Sequence, residues 1–284
     1  MVTWLKGALR TLVYHYCRLG PVQRGKDRLV STTLPLLEPD KKPVPIVGGA
    51  RMVADISDDL QRRIYFFGCH EPETTQLIFG ILRPGDTFID LGANIGYYTV
   101  IAGSLVGPAG AVHSFEPIPE IFSSLKENVA LNALTNVRLN QNAVFNEDCE
   151  LEIFLPKPEN NGTGSFMRSP DAPGESILCD ALTLDAYVER EGIEQIRLIK
   201  MDIEGAELRA LKGMKNLLSS STRPDVICEA SPNWFSAGGH TRAHIIGYMD
   251  SFGYRCREIS LSGLTEVQEN QTKTSNLLFT TRDI

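Results

Sequence analysis

Residues Phe88–Thr99 read FIDLGANIGYYT. Phe88–Leu91 is a short apolar run behind the turn formers Pro84-Gly85-Asp86, the pattern of a strand buried on both faces. A helix is expected from Gly96 to about Leu105. Between them, Asp90-Leu91-Gly92-Ala93-Asn94-Ile95-Gly96 supplies glycines that let the backbone turn sharply and approach a ligand closely. Asn94 tolerates a left-handed conformation and adds a polar side chain. The unpaired N–H groups opening the next helix suit an anionic group. The glycines are spaced G-x-x-x-G. A dinucleotide site needs G-x-G-x-x-G, so an NAD-dependent oxidoreductase is disfavoured.

The same alternation continues down the chain. Ala111–Phe115 reads as the second strand, Ile118–Leu131 as a helix and Val137–Val144 as the third strand. Arg197–Met201 is the fourth, followed by a helical pattern of Leu208, Leu211, Met214 and Leu217. Asp225–Cys228 is the fifth, His240–Phe252 a helix, and Tyr254–Ile259 and Asn276–Thr280 the last two strands. Such alternation implies an α/β fold with a mostly parallel, Rossmann-like sheet covered on both faces. The last two strands lack a helix between them and can close the sheet as an antiparallel hairpin. Residues 145–185 interrupt the pattern. Glu150–Leu155 alternates at period two, and 156–174 is rich in Pro, Asn, Gly and Ser, as an insertion with a mobile loop over a substrate would be.

In open parallel sheets the ligand lies beyond the carboxyl ends of the strands. The second strand ends in His113-Ser114-Phe115-Glu116-Pro117, where a carboxylate can accept hydrogen bonds from both hydroxyls of a ribose. The third ends near Asn142, which can serve an adenine edge. Gly-rich turn, acid and amide follow the order that an adenosine ligand requires.

The chain has 284 residues, 42% hydrophobic and 22% charged, an ordinary globular composition with a net charge of −7. An acidic chain gives no footprint for nucleic acid, so no nucleic-acid partner is expected. The six cysteines form no CxxC pair, which suits small core residues in a reducing, cytoplasmic compartment. No apolar run reaches the roughly 20 residues of a membrane span. Residues 1–20 are amphipathic and basic, with Trp4, Leu5, Ala8, Leu9, Leu12 and Tyr16 at helical spacing and Lys6 and Arg10 interspersed. They suit a helix docked on the domain or one making peripheral membrane contact, and no signal-peptide pattern is present. Residues 21–50 hold Pro21, Pro35, Pro39, Pro43 and Pro45 and read as an extended arm, so that a 1–50 arm precedes a 51–284 domain.

DLGANIGYYT, FEP and LIKMDIEGAE, in this order, resemble the FkbM-type S-adenosylmethionine-dependent methyltransferase family, and TLDAY at Thr183–Tyr187 matches a segment often found before the fourth strand. The resemblance runs from about Glu73 to the end of the chain. It implies the class I methyltransferase fold, with seven strands and the last antiparallel. It also implies O-methylation of a hydroxyl on a sugar or a hydroxylated secondary metabolite. On this resemblance Asp90, Gly92, Asn94 and Gly96 flank the methionine part of S-adenosylmethionine and Glu116 binds its ribose, with Tyr97, Pro117, Asn142 and Asp202 as further cofactor-binding candidates. Lys200, Asp202 and Glu204 face the methyl-transfer region. A binding module that keeps the fold without catalysis is the other reading.

An alcohol is a weak nucleophile, so its proton needs an acceptor or a metal that acidifies it. Lys200, Asp202 and Glu204, spaced by two, would point to one side of an extended segment. Either carboxylate can be the general base. Alternatively, Glu204-Gly205 opens the next helix and satisfies its N–H groups. His240 is a second candidate base, or a surface histidine capping its helix. Glu229 lies at the end of the fifth strand. Trp234 offers a flat face to a substrate ring, and the 160–168 loop suits a polar one. Asp202, Glu204 and Glu229 are also hard oxygen ligands suited to Mg2+, though no spacing demands it. The oligomeric state is not legible.

Overall fold

The computed structural model describes residues 2–20, 25–155, 175–231, 239–267 and 274–283. It divides into two compact units, Met1–His70 and Glu71–Ile284. The boundary expected at residue 50 falls inside a hairpin: β1 (Lys41–Pro45) and β2 (Arg51–Asp55) pair antiparallel, Pro45 opposite Arg51. The first unit also holds α1 (Val2–Leu19), α2 (Lys26–Thr33) and α3 (Asp59–Phe67). The arm expected to be extended is therefore largely structured. Pro35 lies in a 3-10 turn, Leu34–Leu36, while Pro43 and Pro45 sit on a strand with one neighbour among the described residues, where a missing N–H is tolerated. Ile64, Tyr65 and Phe66 are fully buried, and Asp58 caps α3 by accepting from Gln61 N at 2.9 Å.

In the second unit, α4 (Pro72–Ile81) precedes β3 (Thr87–Leu91), α5 (Tyr97–Val106), β4 (Ala111–Phe115), α6 (Pro119–Leu131) and β5 (Val137–Asn140). An insertion follows with β6 (Ala143–Val144), β7 (Cys149–Phe154) and β8 (Ser176–Leu182). The rest is α7 (Leu184–Glu191), β9 (Leu198–Met201), α8 (Glu207–Lys212), α9 (Lys215–Ser219), β10 (Asp225–Ala230), α10 (Arg242–Asp250), β11 (Arg255–Ser260), β12 (Gly263–Thr265) and β13 (Ser275–Thr280). The main sheet has the order β12-β11-β13-β10-β9-β3-β4-β5. Strands β10, β9, β3, β4 and β5 are mutually parallel, and β13 runs antiparallel between β10 and β11. The fold class is as expected.

Three details differ. The three-residue β12 adds an eighth, edge strand to the seven expected. It takes the tight turn from β11, while β13 returns on the other side. The third strand breaks after Asn140, and β6 leaves to join β7 and β8 in a small separate sheet. The helix after β9 breaks at Gly213, its C-cap, a position that has to be glycine because a Cβ there would run into the carbonyl oxygen of Phe145. Asp185 then restarts the helix, accepting from Asn216 N and Leu217 N at 2.8 and 3.0 Å.

TLDAY is thereby explained as packing. Thr183 caps α7, Asp185 caps α9, and Tyr187 lies 4.8 Å edge-on to Phe115 while bonding His113 Nδ1 at 2.8 Å. β3 and β9, whose residues Ile89, Leu91, Ile199 and Met201 are fully buried, stand at the centre of the sheet. The order reverses there: β4 and β5 extend one way, β9 and β10 the other. Such a reversal opens a crevice at the carboxyl ends of the strands.

Candidate active site

Asp90, Ser114 and Lys200 are in register on β3, β4 and β9. Asp90 Oδ2 accepts from the buried Thr99 hydroxyl at 2.6 Å, and Thr99 also bonds Ser114 Oγ at 2.7 Å. Asp90 Oδ1 is buried with no hydrogen-bond partner among the described residues. Burial pushes this carboxyl up to about 6, the Thr99 bond and Lys200 opposing. After Leu91 the chain turns through Gly92 (φ 75°), Asn94 (φ 51°) and Gly96 (φ 93°). A Cβ on Gly92 would run into the Asp202 carbonyl oxygen, and one on Gly96 would meet Leu125 Cδ1 at 2.5 Å. Each glycine is needed both for its left-handed backbone and for the close approach.

Glu116 joins this turn to the second strand. Its Oε2 accepts from Asn94 N and its Oε1 from Ile118 N, each at 3.0 Å. Both oxygens are therefore oriented and keep further lone pairs for a ligand. Burial pushes the carboxyl up to about 7, against the pull of the two backbone bonds. Pro117 is half-buried behind it, and Asn142 is half-buried between β5 and β6. The side chain of Tyr97 is buried and its hydroxyl bonds Thr75 Oγ1 at 3.2 Å.

The neighbouring Tyr98 belongs to the other half of the site. Its hydroxyl donates to Glu71 Oε2 at 2.6 Å, and Lys200 Nζ lies 4.9 Å from its ring centroid. Lys200 Nζ bonds Asp202 Oδ2 at 2.7 Å. Lys200 is buried, which disfavours its charge, yet Asp202, Glu71 and Asp90 together hold it protonated. Asn276 Nδ2, on β13 opposite Glu229, donates to Glu71 Oε2 at 2.8 Å and Thr74 Oγ1 at 3.0 Å. Sequence reasoning missed Glu71, Tyr98 and Asn276. The signal for Glu71 was local only, an acid before Pro72 at a helix start. Its partners lie 27 and 205 residues away.

Beyond β9 the chain turns through Glu204 (φ 50°) and Gly205 (φ 102°). Glu207, not Glu204, satisfies this turn: its Oε1 accepts from Ile203 N and Gly205 N at 3.2 and 3.1 Å. Burial pushes Glu207 up to about 7. Carboxylate oxygens of Asp202, Glu204 and Glu229 lie within 4.8 Å of one another, as the sequence suggested. Burial raises Glu229 far above the usual carboxylate range, and the nearby charges of Asp202 and Glu204 add to the rise.

His240 is buried just before α10, not on the surface. It is not the cap, because Thr241 accepts from His244 N at 3.3 Å and donates its own N–H to His244 Nδ1 at 3.1 Å. Trp234 and the 160–168 loop lie outside the described residues.

A Gly-rich turn at the switch point, an oriented acid on the next strand and a terminal strand inserted antiparallel define the class I S-adenosylmethionine-dependent methyltransferase fold. The methyltransferase FkbM domain matches residues 90–256, and the chain belongs to that family. The 31-O-demethyl-FK506 methyltransferase FkbM of Streptomyces tacrolimicus is 30% identical over 163 residues, 48% of this chain and 62% of that protein. The hexuronic acid methyltransferase AglP of Haloferax volcanii is 29% identical over 151 residues, 53% of this chain and 59% of that protein. The chain thus spans about three fifths of these curated relatives. The crystal structure of methyltransferase FkbM from Methylobacillus flagellatus KT matches at 17% identity with a TM-score of 0.47, covering 78% of this chain and 55% of that one.

Proposed function

We propose that the protein transfers a methyl group from S-adenosylmethionine to a hydroxyl of a sugar or hydroxylated secondary metabolite. The residues at the switch point fit this cofactor. Asp90 Oδ1, buried and lacking a partner among the described residues, offers an acceptor to a donor on the methionine part. Glu116 presents two oriented oxygens to the ribose hydroxyls. When bound, the cofactor supplies an activated methyl group on a sulfonium. The acidic surroundings of Lys200 also favour a cation there.

The observation that carries the reading is the convergence of Asp202, Glu204 and Glu229 beside this turn. Lys200 Nζ bonds Asp202 Oδ2 at 2.7 Å. Glu229 retains its proton, which limits the mutual repulsion of the cluster. Asp202 or Glu204 would take the hydroxyl proton of the acceptor, whose oxygen would receive the methyl group that the bound cofactor supplies. The left-handed backbone at Glu204, held by Glu207, aims that side chain. The names of the two relatives, one acting on a demethylated FK506 and one on a hexuronic acid, support a hydroxylated acceptor. A second reading places Mg2+ on the same three carboxylates, where it would acidify the hydroxyl.

The test is a labelled-methyl transfer screen over glycans and hydroxylated metabolites. With a turned-over acceptor and saturating cofactor, Asp202→Asn or Glu204→Gln lowers turnover by about 10²–10⁴. If both variants and His240→Ala keep wild-type turnover, the base assignment fails. Activity that survives exhaustive chelation removes the metal.

A further inference from the structure

Helix α1 turns its apolar face outward. Trp4, Leu5, Leu12, Tyr16 and Leu19 are 74%, 56%, 70%, 40% and 79% exposed. At 100° per residue, these positions and Ala8 fall within one arc of about 120°. The opposite side of the helix carries buried Val13 and Cys17. Its arginines bond inward within the same unit. Arg18 donates to the carbonyl oxygens of Pro45, Ile64 and Tyr65 at 2.5, 2.8 and 2.7 Å. Arg10 donates to Glu38 O at 3.1 Å and pairs with Asp40 at 3.3 Å. Rolling the helix to hide the stripe would break these bonds and strand buried charge. The outward stripe is therefore locked by the fold.

Charge distinguishes what covers it. Residues 1–70 carry eleven Lys and Arg against six Asp and Glu, a net +5, whereas residues 71–284 carry seventeen against twenty-nine, a net −12. α1 itself contains no acidic residue. Two such basic units repel each other, so pairing of two copies through α1 is opposed. An anionic surface attracts the unit instead. Trp4 and Tyr16 are the side chains that favour the lipid–water boundary. α1 does not meet the length and hydropathy of a membrane-crossing helix. We propose that α1 lies flat in the surface of an anionic membrane, its Trp4–Leu12–Leu19 stripe in the acyl boundary and the basic unit against the headgroups.

The test is flotation of the full chain with phosphatidylcholine vesicles containing about 30% phosphatidylserine. Binding is expected, together with at least an approximately tenfold loss for Leu12→Glu combined with Leu19→Glu. Binding should also weaken with pure phosphatidylcholine and at high salt. Both leucines are exposed, so the double variant should keep the wild-type Tm. Leu261→Glu, at a residue 78% exposed in the other unit, should leave binding unchanged. Failure of the wild type to float, or equal flotation of the double variant, overturns the proposal. So does a dimer in solution that the double variant turns into a monomer while vesicles capture neither form. None of these outcomes depends on methyl transfer.

Discussion

Glu116 shows how burial and bonding divide control of one carboxylate. Desolvation moves it up to about 7, while Ile118 N and Asn94 N pull toward the charged form. A ligand that donates two hydroxyls to it also favours the charged form. Affinity for S-adenosylmethionine should therefore weaken as pH falls below about 7, and binding near that pH should release a proton. Calorimetry in buffers of different ionisation enthalpy measures this release, and an affinity flat from pH 6 to 8 would contradict it. Glu116→Gln would set an amide NH2 against one of the two backbone N–H donors. It should lose about ten- to a hundredfold in cofactor affinity. Asp90, Glu116, Lys200, Asp202, Glu204 and Glu229 were legible because each sits at or just past the end of a readable strand. Glu71, Tyr98 and Asn276 were not, since only folding brings the start of α4, the first turn of α5 and the start of β13 to one place.

At the scale of elements, the two turns after β3 and β9 are interlocked. A side chain at Gly92 would run into the Asp202 carbonyl, so the Gly-rich turn and the acidic turn share one close approach. Gly92→Ala should destabilise the protein by about 1–3 kcal/mol, through strain at positive φ and the collision, and should weaken turnover as Asp202 shifts. Glu207→Ala leaves the N–H groups of Ile203 and Gly205 without their acceptor, at about 1–3 kcal/mol. Glu207→Gln keeps a carbonyl acceptor and should retain most of the Tm. Equal Tm values for the Ala and Gln variants would mean that these bonds do not hold the turn. Periodicity located most strands of the sheet to within a residue or two, because strands buried on both faces are nearly all apolar. It did not see the break at Gly213, where the backbone passes close to Phe145, far off along the chain. Nor did it see α2, or the 3-10 turn at Leu34–Leu36 and β1, where Pro35, Pro43 and Pro45 sit at positions that accept them.

For the whole molecule, the second unit carries its acids inside as well as outside. Glu116 and Glu207 are each raised by burial from 4.5 to about 7, and Glu229 is raised further. Between the unfolded and folded pKa values the native state binds more protons than the unfolded chain, so stability falls as pH rises. His113 acts the other way, since burial lowers it from 6.5 to about 4 and protonation opposes folding in that window. Its contribution is complete above about pH 6.5, where the glutamates are still titrating. From pH 6 to 8 Glu116 and Glu207 should therefore remove about 1–1.5 kcal/mol each, and Glu229, raised further, adds to the fall throughout the range. Across that range Tm should drop by on the order of 5 °C. S-adenosylmethionine, by favouring the ionised Glu116, should recover part of the loss at pH 8. Scanning calorimetry with and without the cofactor measures both effects, and a Tm that is flat or rising from pH 6 to 8 without cofactor would show that these carboxyls are not held neutral by the fold.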